Sequence, residues 1–223
     1  MNKLLSVIMS IAVAAALLTG SIAAPICLRR FYYAHIGPLE LEEKSGLSEN
    51  EIRQAYDEVL DYCTGRSDEF SAGVLPFSAD GAAHFADCRE LFILDFRVFA
   101  VSAVLIVALT MYRRRRGLHR FLGRGPAFWG AAGIGGALCV VGALAAADFD
   151  RAFTVFHSVF FPGKDNWIFD QRTDPIIRLM PEEFFRNCAI LIVALLLVWC
   201  AVLIAADLWV GKQLRPRCPG ARA

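Results

Sequence analysis

The chain has 223 residues, 57% hydrophobic and 20% charged, with a mean hydropathy of +0.47; that is too apolar for an ordinary soluble domain and fits a polytopic membrane protein. The formal net charge of +1 carries no message about partners, because acidic and basic residues are segregated along the chain. The 7 cysteines form no CxxC pair and no zinc-finger spacing.

No charge falls between Lys3 and Arg29, a run of about 25 residues that suffices for a hydrocarbon core of about 30 Å. Ser21-Ile22-Ala23-Ala24 resembles a signal-peptide cleavage site. Pro25 follows directly, however, and the apolar run exceeds the usual hydrophobic region of a signal peptide. An uncleaved first span over residues 4–28 is expected. Residues 29–95 are polar and acidic. Within them Ser48-Glu49-Asn50-Glu51 is a capping box. Ile52, Ala55, Tyr56, Val59, Leu60 and Cys63 then share one helical face, and Gly65 ends the helix. This amphipathic helix is expected to belong to a cap on the membrane surface.

Residues 82–92 also have helical spacing and lead into a second span at about 96–112, with Asp95 and Arg97 near the interface. Arg113 to Arg116, Arg120 and Arg124 fill a loop, 113–126, that contains no acid and also holds His119. By the positive-inside rule that loop is cytoplasmic. A nucleic-acid patch is the rival reading, but a short hairpin between spans has no room for a binding module. The third span, 127–147, carries Gly130, Gly133, Gly135, Gly136 and Gly142, a small-faced surface for close helix packing. Residues 148–187 form the second outer segment. Pro181-Glu182-Glu183 then starts a helix that becomes the fourth span, 188–206. The tail, 207–223, is basic through Lys212, Arg215, Arg217 and Arg222. Every Asp and Glu lies in 29–95 or 148–187 except Asp207. The expected fold is all-α: a single membrane domain, 1–223, with four spans, both termini cytoplasmic, and a small extracytoplasmic cap built by the 1–2 and 3–4 loops.

Of the 4 histidines, His84 and His157 are the pair on the outer loops taken to lie just before or after a span. Asp87 follows His84 by three residues and Asp80 precedes it by four, so either carboxylate shares its helical face and could fix its tautomer. Asp87 is preferred because Gly81 weakens helix at Asp80; the bland alternative is a satisfied surface pair. His157 stands among Phe156, Phe160 and Phe161, with Trp167 and Phe169 following. The bland reading there is an interfacial aromatic belt with an incidental histidine. Two imidazoles at a membrane face suit acyl transfer, one removing a proton and the other protonating a leaving alkoxide. Ser158 cannot face the adjacent His157, and a carboxylate beside Cys88 raises a thiol pKa, so neither is a convincing nucleophile. A metal site from His84, Asp87, His157 and Asp170 lacks a third strong ligand, and no metal is expected. There is no GxSxG, HExxH or phosphate loop. Cys63 and Cys88, both outside, could pair in an oxidising compartment.

Two stretches carry a family resemblance. His157-Ser158-Val159-Phe160-Phe161-Pro162, with Asn166-Trp167, Phe169-Asp170, Asp174-Pro175, Pro181 and Phe184-Phe185 downstream, is similar to the second motif of the lipoprotein intramolecular transacylases. His84-Phe85-Ala86-Asp87 resembles their first motif, although Cys88 stands where a branched aliphatic residue is expected. The likeness extends over nearly the whole chain, including a tyrosine-bearing cap helix (Tyr56, Tyr62). It implies a bacterial cell-membrane acyltransferase whose substrate is a diacylated lipoprotein. The sn-2 acyl chain would pass to the α-amine of the lipidated N-terminal cysteine, giving the lyso form. Ester to amide is downhill, so the resemblance implies no cofactor, and catalysis rests on proximity. It marks His84 and His157 as catalytic: His84, oriented by Asp87, accepting the amine proton and His157 assisting the departing oxygen, or the reverse. Phe156, Phe160, Phe161, Trp167 and Phe169 would confine glyceryl and acyl groups among membrane lipid, and Arg89 or Arg178 would meet a polar head. The alternative is a non-catalytic membrane scaffold whose cap binds another chain.

Overall fold

The computed structural model describes residues 3–116 and 120–213; His119 and the tail arginines lie outside them. Eight α-helices and one 3-10 turn account for most of these residues. In chain order they are α1 (Lys3–Cys27), α2 (Arg29–Tyr33), α3 (Leu41–Ser45), α4 (Glu49–Cys63), α5 (Ala79–Arg116), α6 (Pro126–Ala147), α7 (Phe149–Phe160), the 3-10 turn (Pro175–Arg178) and α8 (Glu182–Gln213). Four of them, α1, α5, α6 and α8, are long and apolar enough to cross a membrane.

Helix α5 runs unbroken for 38 residues, roughly 57 Å at 1.5 Å per residue, far more than a hydrocarbon core of about 30 Å requires. Asp80, Asp87, Arg89 and Glu90 occupy its first third, so the N-terminal part is a charged extension of the apolar span, a post. His84 rides on that post.

The bundle closes through small residues. A Cβ on Gly130 would sit 2.4 Å from the Ser10 carbonyl of α1, and one on Gly135 would press the Cys200 Sγ of α8 at 3.3 Å. Glycine therefore lets backbones approach where lipid offers no hydrophobic drive for helix association. Gly133 and Gly136 meet nothing, so only part of the expected small face is used. Ser10 reinforces the contact by donating its hydroxyl to the Pro126 carbonyl at 2.9 Å. At the arginine end, Asp207 of α8 accepts from Arg120 at 2.8 Å and from the Gly125 amide at 3.0 Å, tying the α5–α6 connection to α8. This is the one acid outside the two acidic segments, and it is paired.

At the opposite end, residues from both long connections share one apolar core. Tyr32, Leu41, Ile52, Ala55, Tyr56 and Val59 pack with Ile176, Leu179, Met180 and Phe184. The Tyr32 and Tyr56 rings stack 3.6 Å apart, and the Tyr32 hydroxyl donates to the Leu179 carbonyl at 2.8 Å. Helix α4 begins at the Ser48–Glu51 capping box and buries Ile52, Ala55, Tyr56, Val59, Leu60 and Cys63. Arg29 joins it to the end of α1 through Asp57, at 3.0 Å, and Asp61. His35 is a packing residue here, its Nδ1–H held by the Phe31 carbonyl at 2.7 Å.

Helix α7, like the short α2 and α3, is not among the helices expected from the sequence. A single residue, Asp148, separates it from α6 and caps it by accepting from the Arg151 amide at 3.0 Å. With Val155, Phe156, Val159 and Phe160 exposed and His157 buried, it is amphipathic. Its greasy side faces outward.

Candidate active site

The site begins with how the N-terminus of α5 is held. Asp174, buried in the 3–4 connection, accepts from the Ser78 amide at 2.8 Å and from the Thr173 hydroxyl at 2.7 Å. Ser78 Oγ in turn accepts from the Gly81 amide at 2.9 Å. These bonds satisfy amides that the first turn of a helix leaves open. Gly81 is required by contact: a Cβ there would lie 2.1 Å from Asp174 Oδ1. The 3–4 connection is thereby docked on the helix that carries His84.

His84 projects from the second turn of α5, and His157 from the last turn of α7. They are 6% and 7% exposed. Their ring centroids are 5.9 Å apart with the planes inclined by 33°. Phe161 and Phe169 flank His84 at 4.9 and 5.5 Å. Trp167 stacks on His157 at 4.4 Å and Phe153 lies at 4.2 Å. Two helices distant in sequence thus converge on one aromatic enclosure.

His157 Nδ1 is 2.8 Å from the Phe153 carbonyl oxygen. A carbonyl only accepts, so the proton is on Nδ1 and Nε2 of the neutral ring carries a lone pair. His84 Nε2 lies 3.5 Å from Cys88 Sγ, and its Nδ1 is buried without a hydrogen-bond partner. Burial, then the proximity of His157, pushes the His84 pKa down to about 4 against the opposing pull of Asp87. Burial also lowers that of His157, opposed by the Phe153 carbonyl. Both rings are neutral near pH 7.

The structure gives several of the residues singled out in the sequence partners of their own. Asp87 makes no hydrogen bond to His84. Its oxygens receive Lys164 Nζ at 2.6 Å and Asn166 Nδ2 at 3.2 Å, because an ammonium is a stronger partner than an imidazole that burial keeps neutral. Asp80 is exposed. Phe156 and Phe160, 48% and 49% exposed, pack on each other at 4.6 Å, and Phe156 also meets the His157 ring edge-on at 5.4 Å, whereas Phe161, Trp167 and Phe169 line the enclosure more deeply. Arg89 is spent on the Ser67 carbonyl, Asp68 and the Tyr62 ring. Arg178 is exposed and reaches the Gln171 carbonyl at 3.4 Å. Asp170 pairs with Arg172 at 2.7 Å, and among the described residues no three His, Cys, Asp or Glu side chains group as metal ligands. Cys63 and Cys88 are separate thiols, that of Cys63 directed at the Phe85 carbonyl at 3.8 Å.

Sequence reasoning missed Lys164 and Phe153 and gave Asn166 no role. Phe153 sits one turn before His157, a signal that needed α7 to be recognised. Asn166 has a defined orientation: a carboxylate cannot donate, so the amide nitrogen must face Asp87. That leaves Oδ1, buried and unpartnered.

Four apolar helices, with a helical head that encloses two neighbouring imidazoles, define a multi-pass membrane protein. The chain belongs to the family of the lipoprotein intramolecular transacylase Lit, whose sequence profile matches residues 7–185, and it is therefore an acyltransferase acting on lipoproteins. The structure of the membrane integral lipoprotein intramolecular transacylase Lit from Bacillus cereus aligns with a TM-score of 0.83 at 22% identity, over 95% of this chain and 96% of that one. Two structures of the same Bacillus cereus protein with a histidine replaced by arginine or by alanine each give 0.79 at 23% identity. They cover 95% of this chain and 92% or 94% of theirs. At such identity the likeness establishes a shared fold. Among curated proteins, none matches the chain.

Proposed function

We propose that the protein moves the sn-2 acyl chain of a diacylglyceryl lipoprotein to the α-amine of its N-terminal cysteine, using His157 and His84 in distinct roles. The observation that carries this is that two buried rings lie with their centroids 5.9 Å apart, close enough for both to reach one reacting ester. His157 Nε2, the lone-pair nitrogen, takes the proton from the attacking amine. The amine nitrogen bonds to the carbonyl carbon, and the resulting oxyanion is met by the unpartnered nitrogen of His84. A neutral imidazole N–H can serve as such an electrophile. When the carbon–oxygen bond breaks, the imidazolium of His157 returns its proton to the glyceryl oxygen. Amide and alcohol leave, both rings are restored, and no outside reactant is consumed.

In this assignment His157 both accepts the amine proton and returns it to the departing oxygen, and His84 holds the oxyanion. The buried Oδ1 of Asn166 is an acceptor suited to a second amine hydrogen. Phe161, Trp167 and Phe169 exclude water, so that the amine rather than hydroxide reacts. The head lies on the extracytoplasmic face in this reading, where lipidated N-termini are displayed.

The test is expression in a bacterial strain that makes diacylated lipoproteins, followed by mass spectrometry of their N-terminal peptides. Wild type should yield N-acyl, monoacylglyceryl cysteine. His157→Ala and His84→Ala should each lower the yield by ~100-fold or more, the scale for losing a general base or an oxyanion donor. An unshifted N-terminus with wild type would point to a scaffold.

A further inference from the structure

Cys88 is the unassigned side chain nearest the chemistry. It lies one helical turn beyond His84, with its Sγ 3.5 Å from His84 Nε2. The other nitrogen of that ring is buried and unpartnered. We propose that Cys88 sets the tautomer of His84: its S–H donates to Nε2, so the ring's single proton resides on Nδ1, the nitrogen left to meet the substrate carbonyl. This rests on the acyl-transfer reading, and Cys88 is a positioning residue that acts through His84.

The direction of the bond follows from donor and acceptor strength. An imidazole sp² nitrogen is a good acceptor, whereas a thiol sulfur is a poor one; S–H to N is the better of the two arrangements. The thiol has its proton to give, since burial and the neighbouring Asp87 push its pKa up to about 12. The charged groups facing His84, Asp87 of its own helix and Lys164 of the 3–4 connection, are spent on one another at 2.6 Å. The remaining titratable neighbour, His157, has committed its N–H to Phe153.

The alternative tautomer is the poorer catalyst. With the proton on Nε2, His84 would present a lone pair at Nδ1. His157 already presents one at its Nε2. The enclosure would then hold two lone pairs and no neutral imidazole N–H to stabilise the developing oxyanion. Cys88 therefore converts two like rings into an unlike pair.

The experiment uses full-length protein in nanodiscs with ¹⁵N-labelled histidine, with the His84 signals identified by their loss in His84→Gln. Wild type and Cys88→Ser should show a protonated Nδ1 and a lone-pair Nε2 at His84. Cys88→Val, which fills similar space without a donor, should move the proton to Nε2 or give a mixture. Its kcat should fall ~10- to 100-fold, the effect seen when a partner that fixes a ring's tautomer is lost. KM should stay within about 2-fold, and serine should restore most of kcat. If valine fails to fold, Cys88→Ala takes its place with the same readouts. An unchanged His84 tautomer in the valine or alanine protein overturns this inference while leaving the acyl-transfer reading intact. Wild-type protein that transfers no acyl chain overturns that reading instead, and the tautomer measurement still decides the assignment of Cys88.

Discussion

His84 and His157 are held neutral by burial, and this has a cost that rises as the medium turns acid. A ring whose folded pKa is about 4, against about 6.5 when unfolded, binds fewer protons folded than unfolded between those values. Its stabilisation is fully present above pH 6.5 and is lost as pH falls toward 4. For His84 the loss amounts to about 3 kcal/mol, with a smaller one from His157. Thermal melts should therefore show a Tm that is flat from pH 8 to 7 and drops below pH 6, and His84→Gln should flatten that drop. The two imidazoles were legible in the sequence because so few histidines exist and both flank apolar runs. The partner of Asp87 was not legible. A carboxylate three residues past a histidine looks like its orienter until a lysine from a distant loop arrives, and nothing local announces Lys164.

At the scale of elements, the capping box and apolar face of α4 specify that helix in full. They combine local amide satisfaction with a 3.6-residue period. Helix α7 escaped notice because no loop precedes it: one capping aspartate, Asp148, both ends α6 and starts α7. The docking of the 3–4 connection on α5 was equally hidden, since it depends on Gly81 and Asp174 meeting across 93 positions. Gly81→Ala would force its Cβ to within 2.1 Å of a carboxylate oxygen, so the connection must shift. It should lower stability by about 1–3 kcal/mol, the scale of overpacking. It should also lower kcat well beyond that effect, because Phe169, Trp167 and Lys164 all belong to the displaced segment. Comparing melts with turnover for Gly81→Ala and Gly81→Ser checks this; a proportional loss of folded protein and activity would argue against a positioning role.

For the whole molecule, the segregation of charge matches the four-span architecture and, under the positive-inside rule, predicts a cytoplasmic arginine end. A single cysteine placed in the Arg120–Gly125 loop of a cysteine-free variant should resist a membrane-impermeant maleimide in intact cells. One placed at Asp68 in the head should react. The reverse pattern would invert the protein in the membrane and sink the outer-face reading.

The single-residue joint at Asp148 has a mechanical consequence. His84 stands on one membrane-crossing rod and His157 on a stub welded to another, with no slack to absorb a change in their relative height. Helix α6 has 22 residues, about 33 Å, so a thinner or thicker bilayer must tilt it. The tilt passes undamped to the stub. The enzyme is then a caliper: turnover in proteoliposomes of graded acyl length should peak where lipid thickness matches that rod and fall on either side, and two glycines inserted beside Asp148 should broaden the peak while lowering it.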